Sequence, residues 1–196
     1  MKKDSTISLV AISLFASLTA VGAFIKIPLP YVPFTLQVLF VFLAGSLLGS
    51  KRGLQSQLVY VGIGLAGFPV FTQGGGLGYF LQPTFGYLLG FIIAAFVVGW
   101  VIERIPNPRT IHFILANFTG LAFVYLLGVP YIYLALNTWM GVQSTWSYVW
   151  MIGFVHSIAG DILISVIAGV FATKLYRVFA ATRTKKKFIM EKGNIA

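Results

Sequence analysis

Apolar residues form long stretches along the chain, and short polar or Gly/Pro-rich connectors separate them. A helix needs about 20 apolar residues to cross the roughly 30 Å hydrocarbon core of a bilayer. Four of the stretches reach or approach that length, and two are shorter. The pattern predicts an all-α integral membrane protein with six transmembrane helices in one domain, residues 1–175. The expected spans are Ile7–Ile25, Phe34–Gly49, Gly53–Phe68, Thr84–Ile102, Ile111–Val129 and Tyr148–Leu175.

The second and third spans are short for a full crossing, so a re-entrant hairpin is the alternative. Lys51 and Arg52 stand between these two spans. Placing two unpaired cations at bilayer depth would cost on the order of several kcal/mol. We therefore favour two full crossings. Pro130 predicts the end of the fifth span.

Composition supports the membrane interpretation, because 58% of residues are hydrophobic and only 9% are charged. That leaves too little polar surface for a soluble globule. The absence of cysteine excludes disulfides and thiolate metal sites, and we expect neither a metal nor a cofactor. The net charge of +10 does not indicate nucleic acid, since the basic residues flank apolar spans, where anionic lipid is the nearer partner.

Basic residues are distributed unequally between the two sets of connectors. The positive-inside rule places the richer side in the cytoplasm, together with both termini and a basic tail over residues 176–196. An N-terminal secretory signal peptide is an alternative for the first apolar run, but this run is long enough to span the plasma membrane. The richer side carries Lys2, Lys3, Lys51, Arg52, Arg104, Arg109 and the tail, whereas the other side carries Lys26.

Asp161 is the one acidic residue inside a predicted span. An ionisable group at that depth is a functional-site hypothesis by default. Ser157, Asp161 and Ser165 recur at four-residue spacing and so share one helix face, which we expect to face the bundle interior. The alternative is that Asp161 is protonated and hydrogen-bonds a backbone carbonyl, as a purely structural contact between helices.

Two further regions carry candidate binding groups. Gln37 offers an amide near the outer face. Gly74, Gly75, Gly76 and Tyr79 lie in the outer connector, residues 70–83, whose backbone could approach a small molecule closely. A flexible turn is the alternative interpretation of that connector. Elsewhere, Asn117 predicts an interhelical hydrogen bond, and His156 an interfacial or packed side chain. Ala16 and Ala20 form a small-xxx-small pair on the first span, which permits close helix approach, either within the bundle or against another protein.

Three segments of the sequence resemble the BioY family, the biotin-specific substrate-binding (S) components of energy-coupling factor (ECF) transporters. They are Val32-Pro33-Phe34-Thr35-Leu36-Gln37, the glycine-rich connector running into Gln82-Pro83-Thr84-Phe85-Gly86-Tyr87, and Gly160-Asp161. The resemblance covers nearly the whole chain and implies an S-component-like bundle without enzymatic activity.

The resemblance also implies partners and residue roles. Biotin would be captured from outside and delivered inward with a transmembrane coupling subunit and two ATPases. Asp161 would contact the ureido ring, Gln37, Tyr79, Tyr87 and the Gly74–Gly76 run would line the pocket, and Ala16 and Ala20 would dock the coupling subunit. One position departs from the family, because Ile164 stands where many members carry Lys.

Two other functions stay open at this point. The first is an S component or carrier for a different small vitamin or heterocycle, which the departure at Ile164 favours. The second is an intramembrane enzyme, for which Ser157 or Ser165 with His156 supply the nearby nucleophile and base. Ser157 is adjacent to His156 and Ser165 is nine positions away, spacings that aim side chains on one helix poorly at one another, and no catalytic motif accompanies them.

Overall fold

The protein is almost entirely helical in a computed structural model that describes the backbone of residues 2–193 and the side chains of residues 6–176 and 178. Most side chains of the predicted basic tail, and residues 194–196 entirely, lie outside the described residues. The helices are α1 (Lys2–Phe24), α2 (Gln37–Leu48), α3 (Ser50–Leu65), α4 (Phe85–Glu103), α5 (Thr110–Thr138), α6 (Trp146–Trp150) and α7 (His156–Gly193). A two-stranded antiparallel ribbon joins α1 to α2, with β1 at Lys26–Ile27 and β2 at Phe34–Thr35.

Four helical segments within the described residues are long and apolar enough to cross a membrane. They support the prediction of an integral membrane protein. Helix α2, with 12 residues, is apolar but shorter, and α3 has 16 residues. The four segments are Thr6–Phe24, Phe85–Glu103, Thr110–Thr138 and Trp146–Tyr176.

Helices α2 and α3 form a tight hairpin around Gly49. This residue has φ +84°, in the left-handed region that favours glycine. A Cβ at this position would lie 2.2 Å from Oε1 of Glu103, at the end of α4. The same oxygen accepts a hydrogen bond from Ser50 N (2.9 Å), and Oε2 accepts one from Ser50 Oγ (2.7 Å). Glu103 therefore caps the first turn of α3 and joins the hairpin to α4.

The helix termini differ from the predicted spans in two places near this hairpin. Phe34 was expected to begin the second span, but it belongs to β2, and α2 begins at Gln37. Lys51 was expected in the connector, but it lies in the first turn of α3. Both differences arise from hydrogen bonds that hydropathy does not report: the ribbon pairs Lys26 with Thr35, and Glu103 caps α3.

The prediction that the fifth span ends before Pro130 is wrong. Helix α5 continues through Pro130 to Thr138. Proline has no N–H and so cannot bond the carbonyl four residues earlier, but membrane helices tolerate this where neighbours support the chain. Support beyond Pro130 comes from the outer connector, where Trp139 Nε1 donates to Leu81 O (2.7 Å) and Tyr131 OH donates to Phe80 O.

The last span begins earlier than Tyr148 and is not uniform. Helix α6 is followed by one π-helical segment, Met151–Val155, before α7 begins. Asn117 in α5 donates from its Nδ2 to the carbonyl of Ser165 in α7 at 2.9 Å. This is the interhelical hydrogen bond that the sequence predicts for Asn117. The predicted polar stripe is also present, since Ser157, Asp161 and Ser165 are all buried.

Candidate functional site

Several buried polar groups of the bundle surround a cavity at the end where α2, α4 and α7 meet the ribbon and the outer connector. The cavity measures about 50 Å³. Four of the predicted site residues, Asp161, Gln37, Tyr79 and Tyr87, are brought together around it. Its other lining residues are Val32, Pro33, Phe34, Thr35, Val38, Thr72, Thr84, Leu88, Phe91, Val124 and Ser157.

Asp161 provides the carboxylate of the cavity from the second turn of α7. The residue is 6% exposed, and its Oδ2 accepts a hydrogen bond from the Tyr125 hydroxyl of α5. Carboxylate oxygens have several lone pairs, so this contact leaves acceptor capacity facing the cavity. A buried carboxylate that is held by one donor and lines a cavity has the arrangement of a binding group.

Ser157 lies one turn before Asp161 and lines the same cavity. Its Oγ is buried and has no hydrogen-bond partner among the described residues. Ser165, one turn after Asp161, differs, because its Oγ donates to the Asp161 carbonyl at 2.6 Å. Of the two serines on the stripe, Ser157 is the one available to a ligand, since an unsatisfied buried hydroxyl is costly.

Gln37 starts α2 and is held on two sides. Its Nε2 donates to the Tyr60 hydroxyl at 2.7 Å, and its Oε1 accepts from Thr35 Oγ1 at 3.1 Å. Tyr60 in turn donates to the Val70 carbonyl at 3.2 Å. This chain of hydrogen bonds links the ribbon, α2, α3 and the outer connector, and so orients the amide on the cavity wall.

The outer connector contributes side chains rather than glycines to the lining. Tyr79 lies on a 3₁₀ turn, Leu77–Leu81, and its hydroxyl is 3.0 Å from both Thr72 Oγ1 and Thr84 Oγ1. All three of these residues line the cavity.

The glycine run Gly74–Gly76 is absent from the lining of this cavity. Gly74 N donates to Phe71 O at 3.3 Å, and Gly76 N donates to Gly64 O at 2.7 Å. These amides therefore serve the connector's own fold and its attachment to the end of α3. The glycines shape the wall that Thr72 and Tyr79 present.

Two close contacts position the α7 side of the cavity. The Tyr87 hydroxyl of α4 donates to the Gly153 carbonyl in the π-helical segment at 2.7 Å. A Cβ at Gly160 would lie 2.5 Å from the ring of Phe34. Glycine at position 160 therefore allows the Phe34 ring to pack directly beside Asp161.

Ile164, the position that departs from the family pattern, is 5% exposed and belongs to the hydrophobic core. It is absent from the lining of the cavity.

The predicted docking pair on α1 is divided by the fold. Ala16 is 4% exposed and packs in the core, and Ala20 is partly buried against it. A buried side chain is not available to a partner, so the docking role predicted for Ala16 does not fit this arrangement. Ser13 and Ser17, by contrast, are exposed on α1.

The serine and histidine of the enzyme alternative do not meet. His156 is exposed, and its Nδ1 lies 2.7 Å from the Met151 carbonyl. Ser165 Oγ is committed to the Asp161 carbonyl. The arrangement lacks the nucleophile–base hydrogen bond that acyl-transfer chemistry requires.

Tyr125 is the main site residue that sequence reasoning missed. It follows Asn117 by eight residues, two steps of the four-residue spacing that keeps side chains on one helix face. Because Asn117 was already expected to contact another helix, this spacing was the signal that Tyr125 also faces α7.

Comparisons with known proteins agree with the fold. The model of the BioY family matches residues 1–181. The chain is 57% identical to the "Probable biotin transporter BioY" of Lysinibacillus sphaericus, covering 100% of both proteins. It is 37% identical to the "Biotin transporter BioY" of Thermotoga maritima, covering 87% of this chain and 96% of that protein.

A solved structure has the same fold. It is the crystal structure of the S-component for biotin from an ECF-type ABC transporter, with a TM-score of 0.78 and 22% identity. The match covers 90% of this chain and 95% of the other. With a family model that matches residues 1–181 and relatives that align along almost their full length, this chain belongs to the BioY family.

Proposed function

We propose that the chain is a substrate-binding component that captures biotin in the cavity beside Asp161, and that an ATP-driven coupling module then delivers biotin inward. One observation carries the proposal: the buried carboxylate of Asp161 lines a cavity together with polar groups from α2, α4 and the outer connector. Membership of a family whose relatives are named biotin transporters supports biotin as the ligand.

The cavity chemistry suits a ureido ring on a hydrocarbon body. Ureido N–H groups are donors, and the Asp161 carboxylate is an acceptor with free lone pairs. Ser157 Oγ, which has no described partner, can donate to or accept from the same ring. Phe34, Leu88 and Phe91 supply the apolar contacts that such a ligand needs.

The cavity has to enlarge when it binds a ligand of this size. Sites for drug-sized molecules occupy about 300–1,000 Å³, whereas this cavity measures about 50 Å³. The outer connector is the natural part to move, because it covers the cavity with Thr72 and Tyr79. Gly74 (φ +110°) and Gly76 (φ +98°) lie between them at positions where glycine is favoured, and we assign them the bending of this cover.

The proposed topology has six crossings of the plasma membrane, with both termini in the cytoplasm. The chain direction alternates from α1 to α5 and again in α7, so the connectors lie at two ends. Lys51 and Arg52 start α3, Arg104 ends α4 and Arg109 precedes α5, which places them together at the end opposite the cavity. The positive-inside rule then places the cavity on the outside.

The proposed partners are membrane lipid, a transmembrane coupling subunit and two ATPases. In the apolar part of α1, 28% of the residues are buried within the chain, whereas the corresponding share in α4 is 61%. We therefore propose the exposed side of α1 as the surface that contacts the coupling subunit, with Ser13 and Ser17 in place of Ala16. Small residues at four-residue spacing allow another helix to approach closely.

The proposal is tested by equilibrium binding of biotin to the purified protein in lipid nanodiscs. We expect Asp161→Asn to weaken binding about tenfold to a hundredfold, which corresponds to a hydrogen bond to a charged group of roughly 1.5–3 kcal/mol. Glu103→Gln is the matched control, because it neutralises a carboxylate at the opposite end and should leave binding unchanged.

Competition with desthiobiotin, thiamine and riboflavin distinguishes the cargo. Biotin-selective binding that depends on Asp161 would support the proposal. Selective binding of thiamine or riboflavin would replace it with the alternative of a different vitamin on the same fold. Absence of biotin binding by folded wild-type protein would remove biotin as the ligand.

A further inference from the structure

Lys26 is not itself among the lining residues of the cavity, but it contacts two residues that are. It is in β1, directly after α1, and pairs across the ribbon with Thr35, which lines the cavity. Its Nζ donates a hydrogen bond to the carbonyl of Thr72, a second lining residue in the outer connector. The side chain is exposed. The ammonium group therefore joins the ribbon to the outer connector, and both of these segments contribute lining residues to the cavity.

Lys26 is also isolated from the other basic groups. Among the described side chains, the remaining lysines and arginines lie toward the opposite end of the bundle or on the last part of α7. The lining of the cavity contains one charged residue, Asp161, and no lysine or arginine. The electrostatic potential is therefore negative at the carboxylate inside the cavity and becomes more positive toward the ammonium of Lys26 beside it.

This field constrains how an anionic ligand can enter. A ligand carboxylate placed beside Asp161 would bring two like charges together in a buried site, which is strongly unfavourable. In the reverse orientation, neutral N–H donors reach Asp161 and the ligand carboxylate stays near Lys26. An ammonium has three N–H donors, and the Thr72 carbonyl uses one of them.

We propose that Lys26 binds the carboxylate of the ligand at the mouth of the cavity and thereby orients the ligand, a role that rests on the proposed capture of biotin. The contact joins the ligand to the ribbon and to the outer connector at once, because the same ammonium already bonds Thr72. Lys26 thus contributes to specificity for a carboxylate-bearing ligand over its neutral derivatives.

The test compares biotin with biotinamide, in which a neutral amide replaces the carboxylate, on purified protein in nanodiscs. We expect Lys26→Met to weaken biotin binding about fivefold, the upper end for an exposed ion pair, and to leave biotinamide binding unchanged. Lys26→Arg should retain the preference for biotin, because it retains the charge. Lys51→Met removes a lysine at the far end and should change neither affinity.

Two outcomes would overturn the proposed role of Lys26, and a third would overturn the function on which it rests. Unchanged biotin binding in Lys26→Met would show that the ammonium does not contact the carboxylate. An equal loss for biotin and biotinamide would show that Lys26 only holds the connector through Thr72. Failure of the wild-type protein to bind either compound would instead refute the proposed function on which this role depends, so the two failures are distinguishable.

Discussion

Two cavities lie on opposite sides of Tyr125, and they differ in size and in chemistry. The larger, about 470 Å³, is a crevice between α5 and the segment from α6 to α7, and its lining is almost wholly apolar. The smaller, about 50 Å³, contains Asp161. Tyr125 contributes its ring to the crevice and its hydroxyl to the Asp161 carboxylate. The crevice is lined by Phe118, Leu121, Ala122, Tyr125, Leu126, Val129, Pro130, Trp146, Trp150, Phe154, Ile158 and Ile162.

The difference teaches that volume is a poor guide to the binding site in this fold. In a membrane protein an apolar crevice costs little, because hydrocarbon can fill it as readily as side chains can. A buried carboxylate and an unpartnered hydroxyl are expensive, so their position marks the functional cavity. If this is correct, changes on the Asp161 side of Tyr125 should alter ligand binding, and changes on the crevice side should not.

Of the substitutions that compare the two sides of Tyr125, Gly160→Ala is expected to have the largest effect. The new Cβ would lie 2.5 Å from the Phe34 ring, which must move, and because that ring lines the cavity the cavity changes shape. We expect biotin affinity to fall about thirtyfold, within the range that corresponds to overpacking by 1–3 kcal/mol. Binding to purified protein and a thermal unfolding curve measure the two consequences.

Gly169→Ala, on the same helix as Gly160, is the control, because its Cβ would lie 2.5 Å from Cγ1 of Ile114 in α5, away from the cavity. Both variants should lower thermal stability similarly, and only Gly160→Ala should weaken binding. Equal losses of affinity in the two variants would mean that general loosening of α7, rather than the shape of the cavity, controls the ligand.

A smaller effect is expected from Tyr125→Phe, which keeps the ring in the crevice and removes the hydroxyl from Asp161. The carboxylate then loses a donor that holds its orientation, and we expect about tenfold weaker binding of biotin. Tyr133→Phe is matched to it on the same helix, where the ring stacks on Trp146 at 4.1 Å. An unaltered affinity in Tyr125→Phe would show that Asp161 is positioned without Tyr125.

The sequence predicts the features that depend on local spacing. Helix α4 matches its predicted span to within one residue at each end. Ser157, Asp161 and Ser165 share a buried face because four-residue spacing and helix geometry determine it. Gln37 was also identified as an amide near the outer face, whereas Tyr87 was identified only through its family segment. The structure adds the contacts that orient both side chains.

The features that escaped prediction depend on contacts between distant segments. The continuation of α5 beyond Pro130 is supported by Trp139 and Tyr131, whose partners are in the connector about 50 residues earlier. The inward position of Ala16 depends on how α1 rotates against its neighbours, which spacing alone does not determine. A proline can end a membrane helix or be accommodated within it, and a pair of small residues can pack inside the bundle or face a partner. Packing between distant segments decides between these outcomes.

The smallest effect is expected from filling the crevice. Ala122 is exposed and lines the crevice on the α5 side, so the ring of Ala122→Phe can enter the apolar space beside Tyr125 without meeting a polar group. We expect biotin affinity to change by less than about twofold, as is usual for an exposed substitution away from a site. Biotin titrations of the purified Ala122→Phe and Tyr125→Phe variants compare the effects of changes on the two sides of Tyr125. A tenfold loss in Ala122→Phe would mean that the crevice communicates with the Asp161 cavity through the Tyr125 ring, and that the two cavities act as one site.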